Sequence, residues 1–283
     1  MNLTDTHCHL DLDRFDSDRE AVLERAAQAG VTHILIPGLN VDSSRTVIRL
    51  AKSHAMLHAA IGVHPTEAMS WNQETRNELK ALACGKSGTS GASKVLAIGE
   101  IGLDYYWDSA PQDMQRDLLR KQLELSAELG LPVILHMREA GDAAQGACAL
   151  DLLQILEEWC ARLRSGKNLL ADRPGVLHSF SGSLETAQAA MHLGFYIGVT
   201  GPVTFNNAAR LQAIVAALPL ERILLETDAP FQSPHPNRGK RNEPAFVRLT
   251  ADKIALLHNC SLEKVAATTS ENAGRLFAWE MTA

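Results

Sequence analysis

His7 and His9 stand two residues apart at the end of a short apolar run. In an extended chain side chains alternate faces, so both imidazoles share one side, with Cα atoms roughly 6.7 Å apart, while Cys8 turns away. That spacing lets two imidazoles share one ion, although an H-x-H pair alone is as often a polar turn. Glu100 lies in Gly-Glu-Ile-Gly-Leu-Asp (99–104), where a carboxylate is able to bridge two cations and the glycines admit close backbone approach. His136 closes a Val-Ile-Leu run and His178 a Gly-Val-Leu run. One such histidine is usually a hydrogen-bonded core residue; two of them beside His7, His9 and Glu100 strain that reading. Asp228 ends Ile-Leu-Leu-Glu-Thr-Asp, placed to ligate a metal and to take a proton from metal-bound water. Asp5 and Glu226 share faces with His7 and Asp228, and are candidates to hold ligand imidazoles by hydrogen bonds.

Two further features look outward to a substrate. His64 sits in Gly-Val-His-Pro (62–65), where proline fixes the loop and an imidazole is able to meet an oxyanion; structural packing is the alternative. Arg238, Lys240 and Arg241 follow the last apolar run and are candidates to grip a phosphate, though a bare charge run is more often solvated. The donor set is nitrogen and oxygen without thiolate, which suits Zn²⁺, Mn²⁺ or Mg²⁺. Two such ions about 3.5–4 Å apart lower the pKa of a bridging water and clamp an in-line displacement at phosphorus.

Such scattered residues need a scaffold that gathers them. Apolar, β-rich runs at 3–7, 31–37, 57–63, 95–100, 132–136, 175–178, 195–199 and 222–228 alternate with helical spacing at 18–29, 42–54, 112–129 and 207–218. Two more helical patterns, 244–258 and 261–280, close the chain; Gly130 and Pro132 mark a helix stop. Eight strands alternating with helices predict an α/β fold, a single-domain (β/α)₈ TIM barrel over residues 1–283. An open doubly wound sheet normally brings a Gly-rich turn after its first strand, and Thr6-His7-Cys8-His9 stands there instead. In a barrel every chemically active residue above falls at a C-terminal strand end, the face on which active sites are built. The segments 85–93 and 164–174 read as insertions between a helix and the next strand, on the opposite face.

Composition sets the outer limits. With 46% apolar residues, 19 Gly and 11 Pro, the 283-residue chain is neither disordered nor low-complexity. A formal charge of −6 argues against a broad nucleic-acid platform while allowing a local basic pocket. Five cysteines, odd in number and without a C-x-x-C pair, suit a reducing compartment. No apolar run approaches a membrane span, and no basic, apolar leader opens the sequence, so a cytoplasmic protein is expected. A monomer is compatible with this composition.

Taken together, Thr-His-Cys-His-Leu-Asp (6–11), Gly-Val-His-Pro (62–65), Gly-Glu-Ile-Gly-Leu-Asp-Tyr-Tyr (99–106), Leu-Pro-Val-Ile-Leu-His-Met-Arg-Glu-Ala (131–140), His-Ser-Phe-Ser-Gly (178–182), Leu-Glu-Thr-Asp-Ala-Pro (225–230) and Arg-Gly-Lys-Arg-Asn-Glu-Pro (238–244) resemble the motif series of TatD-type metal-dependent deoxyribonucleases, in that order and across nearly the whole chain. The resemblance implies an amidohydrolase-like barrel that hydrolyses DNA phosphodiesters, often from the 3′ end of single strands, at a two-metal centre. It implies that His7, His9, Glu100 and Asp228 hold one ion and Glu100, His136 and His178 the other, with His64 near the scissile phosphate. D-aminoacyl-tRNA deacylation, which the family also includes, or another ester or amide hydrolysis on the same metals, stays open as the alternative. A non-catalytic barrel is disfavoured because no ligand is missing. Phe231 stands where the family usually has tyrosine, and 140–148 is rich in Gly and Ala, both on the catalytic face.

Overall fold

A computed structural model describes residues 1–85 and 94–279. Eight parallel strands form one sheet in sequence order: β1 Leu3–Asp5, β2 Val31–Pro37, β3 Leu57–Ile61, β4 Val95–Asp104, β5 Val133–Arg138, β6 Gly175–Leu177, β7 Tyr196–Val199 and β8 Ile223–Leu225. The sheet curls shut where Thr6 N donates to Leu225 O (3.0 Å), Asp228 N donates to His7 O (2.9 Å) and Cys8 bridges Ala229. Parallel neighbours require crossovers, and the helices supply them: α1 Arg19–Gln28, α2 Val41–Ser53, α3 Gln73–Ala83, α4 Gln112–Leu129, α5 Ala147–Ser165, α6 Leu184–His192 and α7 Ala209–Ala217. After β8 come α8 Val247–Leu257 and α9 Leu262–Phe277. The expected (β/α)₈ barrel is the fold.

Strand alternation divides the core in two. Ile34, Ile36, Ala59 and Ile61 join the large cluster shared with the helices, whereas Leu35, Ala60, Ala97, Ile134, Val176 and Leu224 form a second one with Leu276, Phe277 and Trp279. One inward residue from each of these strands fills the lumen, and the end of α9 plugs its N-terminal mouth. The opposite, C-terminal mouth is left for polar groups. Capping fixes where helices begin and end: Asn40 and Ser43 make reciprocal bonds at the start of α2, and Gly130 adopts φ 68° to stop α4.

Two departures from the expected pattern matter. β4 does not end at Glu100; it continues four residues and pairs Gly102 with His136 and Asp104 with Arg138. Between Ile98 and Ile101 the register slips by one residue, a bulge that re-aims the Glu100 side chain. The connector 164–174 is partly helical: α5 runs to Ser165, and a short turn spans Leu169–Asp172 before β6. Of 85–93, only Gly85 lies within the described residues. Among the described residues no helix is long and apolar enough to cross a membrane.

Candidate metal centre

At the C-terminal mouth the chain brings together His7, His9, His64, Glu100, His136, His178 and Asp228. Extended backbone just beyond β1 keeps His7 and His9 on one side, and their Nε2 atoms approach to 3.2 Å. Buried Cys8 points away from the cluster, its thiol facing Ala229 O. Glu100, almost fully buried, is the hub. Its Oε2 lies 3.3 Å from His7 Nε2 and 3.8 Å from His9 Nε2; its Oε1 lies 2.8 Å from His136 Nδ1, 3.6 Å from His64 Nε2 and 3.9 Å from His178 Nε2. Asp228 Oδ1 completes the ring, 3.5 Å from His9 Nε2 and 3.9 Å from both His7 Nε2 and His178 Nε2.

Bonds of about 2.1 Å to a shared tetrahedral ion place donors about 3.4 Å apart, close to the 3.2–3.5 Å that separate His7 from His9, His7 from Glu100 and His9 from Asp228. The donors are borderline nitrogens and hard oxygens. Three overlapping groups are compact enough to hold an ion: His7 with His9 and Glu100, His7 with His178 and Asp228, and His64 with Glu100 and His136. The residues therefore fit divalent cations.

Partners behind the cluster settle which nitrogen faces inward. His178 Nδ1 donates to Glu226 Oε2 (2.9 Å), which also accepts Ser179 N (2.8 Å), leaving Nε2 to face Asp228 and Glu100. Glu226 fits only because residue 198 is glycine: a Cβ there would stand 2.3 Å from its carboxylate oxygens. His136 Nε2 bonds Asp104 Oδ2 at 2.8 Å, so Nδ1 faces Glu100. His64 Nδ1 accepts Thr66 N (3.3 Å), and the ring proton of neutral His64 therefore sits on Nε2. Asp228 Oδ2 accepts Gln232 Nε2 (2.7 Å), while Gln232 Oε1 accepts Thr200 Oγ1.

Burial and charge pull against each other in this set. Burial opposes ionisation of Glu100, yet His7 and His136 hold its pKa well below the usual carboxylate range. Asp228 is lowered likewise, His9 and His178 outweighing its burial. Burial disfavours charge on His136 and His178 too, but Asp104 with Glu100 raises the first to about 9 and Glu226 with Glu100 raises the second to about 9. His7 stacks on His178 with ring centroids 3.4 Å apart, and burial together with that neighbour lowers its pKa. His64 falls to about 3 through burial and His136.

Several expectations need revision. Asp5 reaches no imidazole: its carboxylate accepts from Thr227 N, Thr227 Oγ1 and His7 N, which ties the β1 and β8 ends together, and burial raises its pKa to about 8. Arg241 does not reach toward the cluster. Its guanidinium grips both Asp18 oxygens at 2.7 Å and lies 4.8 Å over Phe15, pinning the loop after β8 onto α1. Arg238, stacked 4.5 Å over Phe205, and Lys240, with no ion pair among the described residues, are exposed on that loop. Phe231 is 45% exposed, edge-on to His9 at 6.1 Å. Asp104 and Gln232 join the cluster without being among the residues expected from the sequence. Asp104 shares strand parity with Glu100, the same signal that paired His7 with His9; nothing in the sequence marks Gln232.

A buried acid–imidazole cluster at the C-terminal mouth of a parallel barrel defines the class, a metal-dependent hydrolase. The chain belongs to the TatD-related DNase family, whose model matches residues 4–278. It is 39% identical over 275 residues to the uncharacterized metal-dependent hydrolase YabD of Bacillus subtilis (97% of this chain, 98% of the relative). It is 37% identical over 283 residues to the 3′-5′ ssDNA/RNA exonuclease TatD of Pantoea sp. (98% and 97%). The crystal structure of YjjV, a TatD homolog from Escherichia coli K12, superposes with a TM-score of 0.85 at 33% identity, covering 98% of each chain.

Proposed function

We propose that this hydrolase cleaves phosphodiester bonds in single-stranded DNA, stepping from the 3′ end, with two divalent cations. The observation that carries the reading is the division of Glu100: Oε2 serves His7 and His9, and Oε1 serves His136, His64 and His178. One buried carboxylate between two imidazole groups is the arrangement of a bridging ligand. His7, His9, Glu100 and Asp228 would hold one ion, and Glu100, His136 and His178 the other. Bound there, Mg²⁺, Mn²⁺ or Zn²⁺ supplies a nucleophilic water at neutral pH and offsets charge on the phosphoryl oxygens.

The protein's own groups do the rest. Asp228, held through Oδ2 by Gln232, would present Oδ1 to the attacking water and take its proton as the water oxygen bonds to phosphorus and the bond from phosphorus to the 3′ oxygen of the preceding nucleotide breaks, that oxygen taking a proton from solvent. His64, neutral, points Nε2–H at a phosphate oxygen, donating without bringing a charge that would repel the cations. Arg238 and Lys240 meet the phosphates that follow. Five free cysteines support action in the cytoplasm.

The test uses protein dialysed against EDTA, reloaded with each metal and given 5′-labelled single-stranded DNA, with mischarged tRNA and a lactone in parallel. A ladder shortening from the 3′ end, absent in EDTA and in Glu100→Ala and Asp228→Ala proteins, is expected. DNA left intact while tRNA is deacylated would overturn the substrate; full digestion by the metal-free protein would overturn the mechanism.

A further inference from the structure

Beside this centre, β4 ends in Asp104 and the chain then presents two large aromatic residues to solvent. Tyr106 is 39% exposed and Trp107 53%, their rings edge-to-face with centroids 4.8 Å apart. The Arg138 guanidinium, from the end of β5, lies 3.7 Å from the Tyr106 centroid and 5.7 Å from that of Trp107. Single exposed apolar residues are ordinary, but a contiguous aromatic pair at the mouth of a site marks a contact surface. The backbone beneath these rings is also held in place. Asp104 Oδ1 accepts both Tyr106 N and Trp107 N at 3.0 Å, while its Oδ2 bonds His136 Nε2 at 2.8 Å. Arg138 is fixed in turn by Asp142 (2.8 Å). One carboxylate thus sets both an imidazole of the metal centre and the base of the aromatic ledge.

We infer that Tyr106, Trp107 and Arg138 form a stacking ledge for an unpaired nucleobase adjoining the bond to be cut, with Trp107 as its principal face. The inference rests on the phosphodiesterase reading above and names what that reading leaves open, the means of selecting single strands. A base in a duplex has both faces covered by its neighbours, whereas an unpaired base offers a face to indole. Stacking on aromatic and guanidinium planes tolerates every base, because each has a π-face, which suits an enzyme that must advance along any sequence. With the backbone beneath both rings already fixed, less conformational freedom is lost when the base arrives.

The experiment measures binding rather than turnover, so it needs no metal. Fluorescence anisotropy of a 5′-labelled thymidine decamer, and of the same decamer made entirely of abasic residues, is read against EDTA-treated wild-type, Trp107→Ala, Trp107→Phe and Tyr106→Ala proteins. Base–aromatic stacking predicts that Trp107→Ala weakens the thymidine decamer about 5- to 140-fold. The abasic decamer should bind wild type and variant alike, and Trp107→Phe should recover most of the loss. Equal affinity of wild type and Trp107→Ala for the thymidine decamer overturns the ledge, as does equal weakening toward both decamers. Circular dichroism checks folding of each variant, and Tyr106→Ala gives an independent reading if Trp107→Ala misfolds. A parallel digestion with metal-reloaded wild type separates the two readings: cleavage of DNA there while Trp107→Ala binds as tightly as wild type defeats the ledge alone, and wild type that neither binds DNA nor, once reloaded, cleaves it defeats the phosphodiesterase reading beneath it.

Discussion

Asp104 decides which nitrogen of His136 is free to meet a cation, and Asp104→Asn should reverse that choice with almost no change in shape. Oδ1 of Asp104 accepts two backbone donors, Tyr106 N and Trp107 N, both at 3.0 Å. In the asparagine variant the amide oxygen must stay with those two N–H groups, because an NH₂ there would face two donors. The NH₂ then takes the place of Oδ2, 2.8 Å from His136 Nε2. Two donors cannot share that contact, so Nε2 becomes the acceptor and the ring proton moves to Nδ1, the nitrogen 2.8 Å from Glu100 Oε1. A protonated Nδ1 offers no lone pair to a metal. Losing such a support typically weakens metal affinity 10- to 100-fold, about 1.4–2.7 kcal/mol. Calorimetric titration of metal-free protein with Mn²⁺ should show one of two binding steps weakened by that factor, with the thermal midpoint nearly unchanged. Asp104→Ala, which removes the acceptor without installing a donor, should weaken it less. Wild-type affinity at both steps in Asp104→Asn, or an alanine variant worse than the asparagine one, would refute the tautomer argument.

Other consequences follow from single contacts. Arg241→Ala should lower the thermal midpoint by a few degrees, because the loop after β8 loses its hold on Asp18, and should leave KM for single-stranded DNA within twofold. Arg238→Ala should raise KM and flatten its dependence on salt by about 0.7 log units per log unit of salt, the value of one single-strand phosphate contact. At the barrel floor His58, stacked on His33 and tilted against Trp279, has its pKa lowered to about 3 by burial, Lys94 and His33. The unfolded chain therefore binds the extra proton from pH 6.5 downward, and stability falls as pH drops through the window 6.5 to 3, by up to roughly 1.4 kcal/mol per unit. His58→Phe should flatten that acid limb in thermal melts between pH 7 and 5; an unchanged slope would show that another group carries it.

Much of this arrangement is legible in a chain of letters, for physical reasons. β2 and α4 have the bounds their patterns predict, 31–37 and 112–129, because an apolar run and a 3.6-residue period are local properties and Gly130 stops the helix where it stands. His7, His9, His136, His178 and Asp228 could be found because a barrel converts position along each strand into nearness at one mouth. What escaped depends on pairing at a distance. β4 outruns its expected end because Gly102 pairs with His136 after the bulge at Gly99–Glu100, a pairing that no local pattern announces. Arg241 reads as a free cation until the fold sets Asp18, 223 residues away, against it. Asp5 shares a face with His7, yet its oxygens go to Thr227 because β8 closes the barrel there.

Whether Glu100 bridges two cations is decided by anomalous diffraction from crystals grown with Mn²⁺. Two peaks about 3.5–4 Å apart, one beside His7 and His9 and the other beside His136, with Glu100 between them, is the predicted map. A single peak, or two with Glu100 ligating only one, would contradict the account.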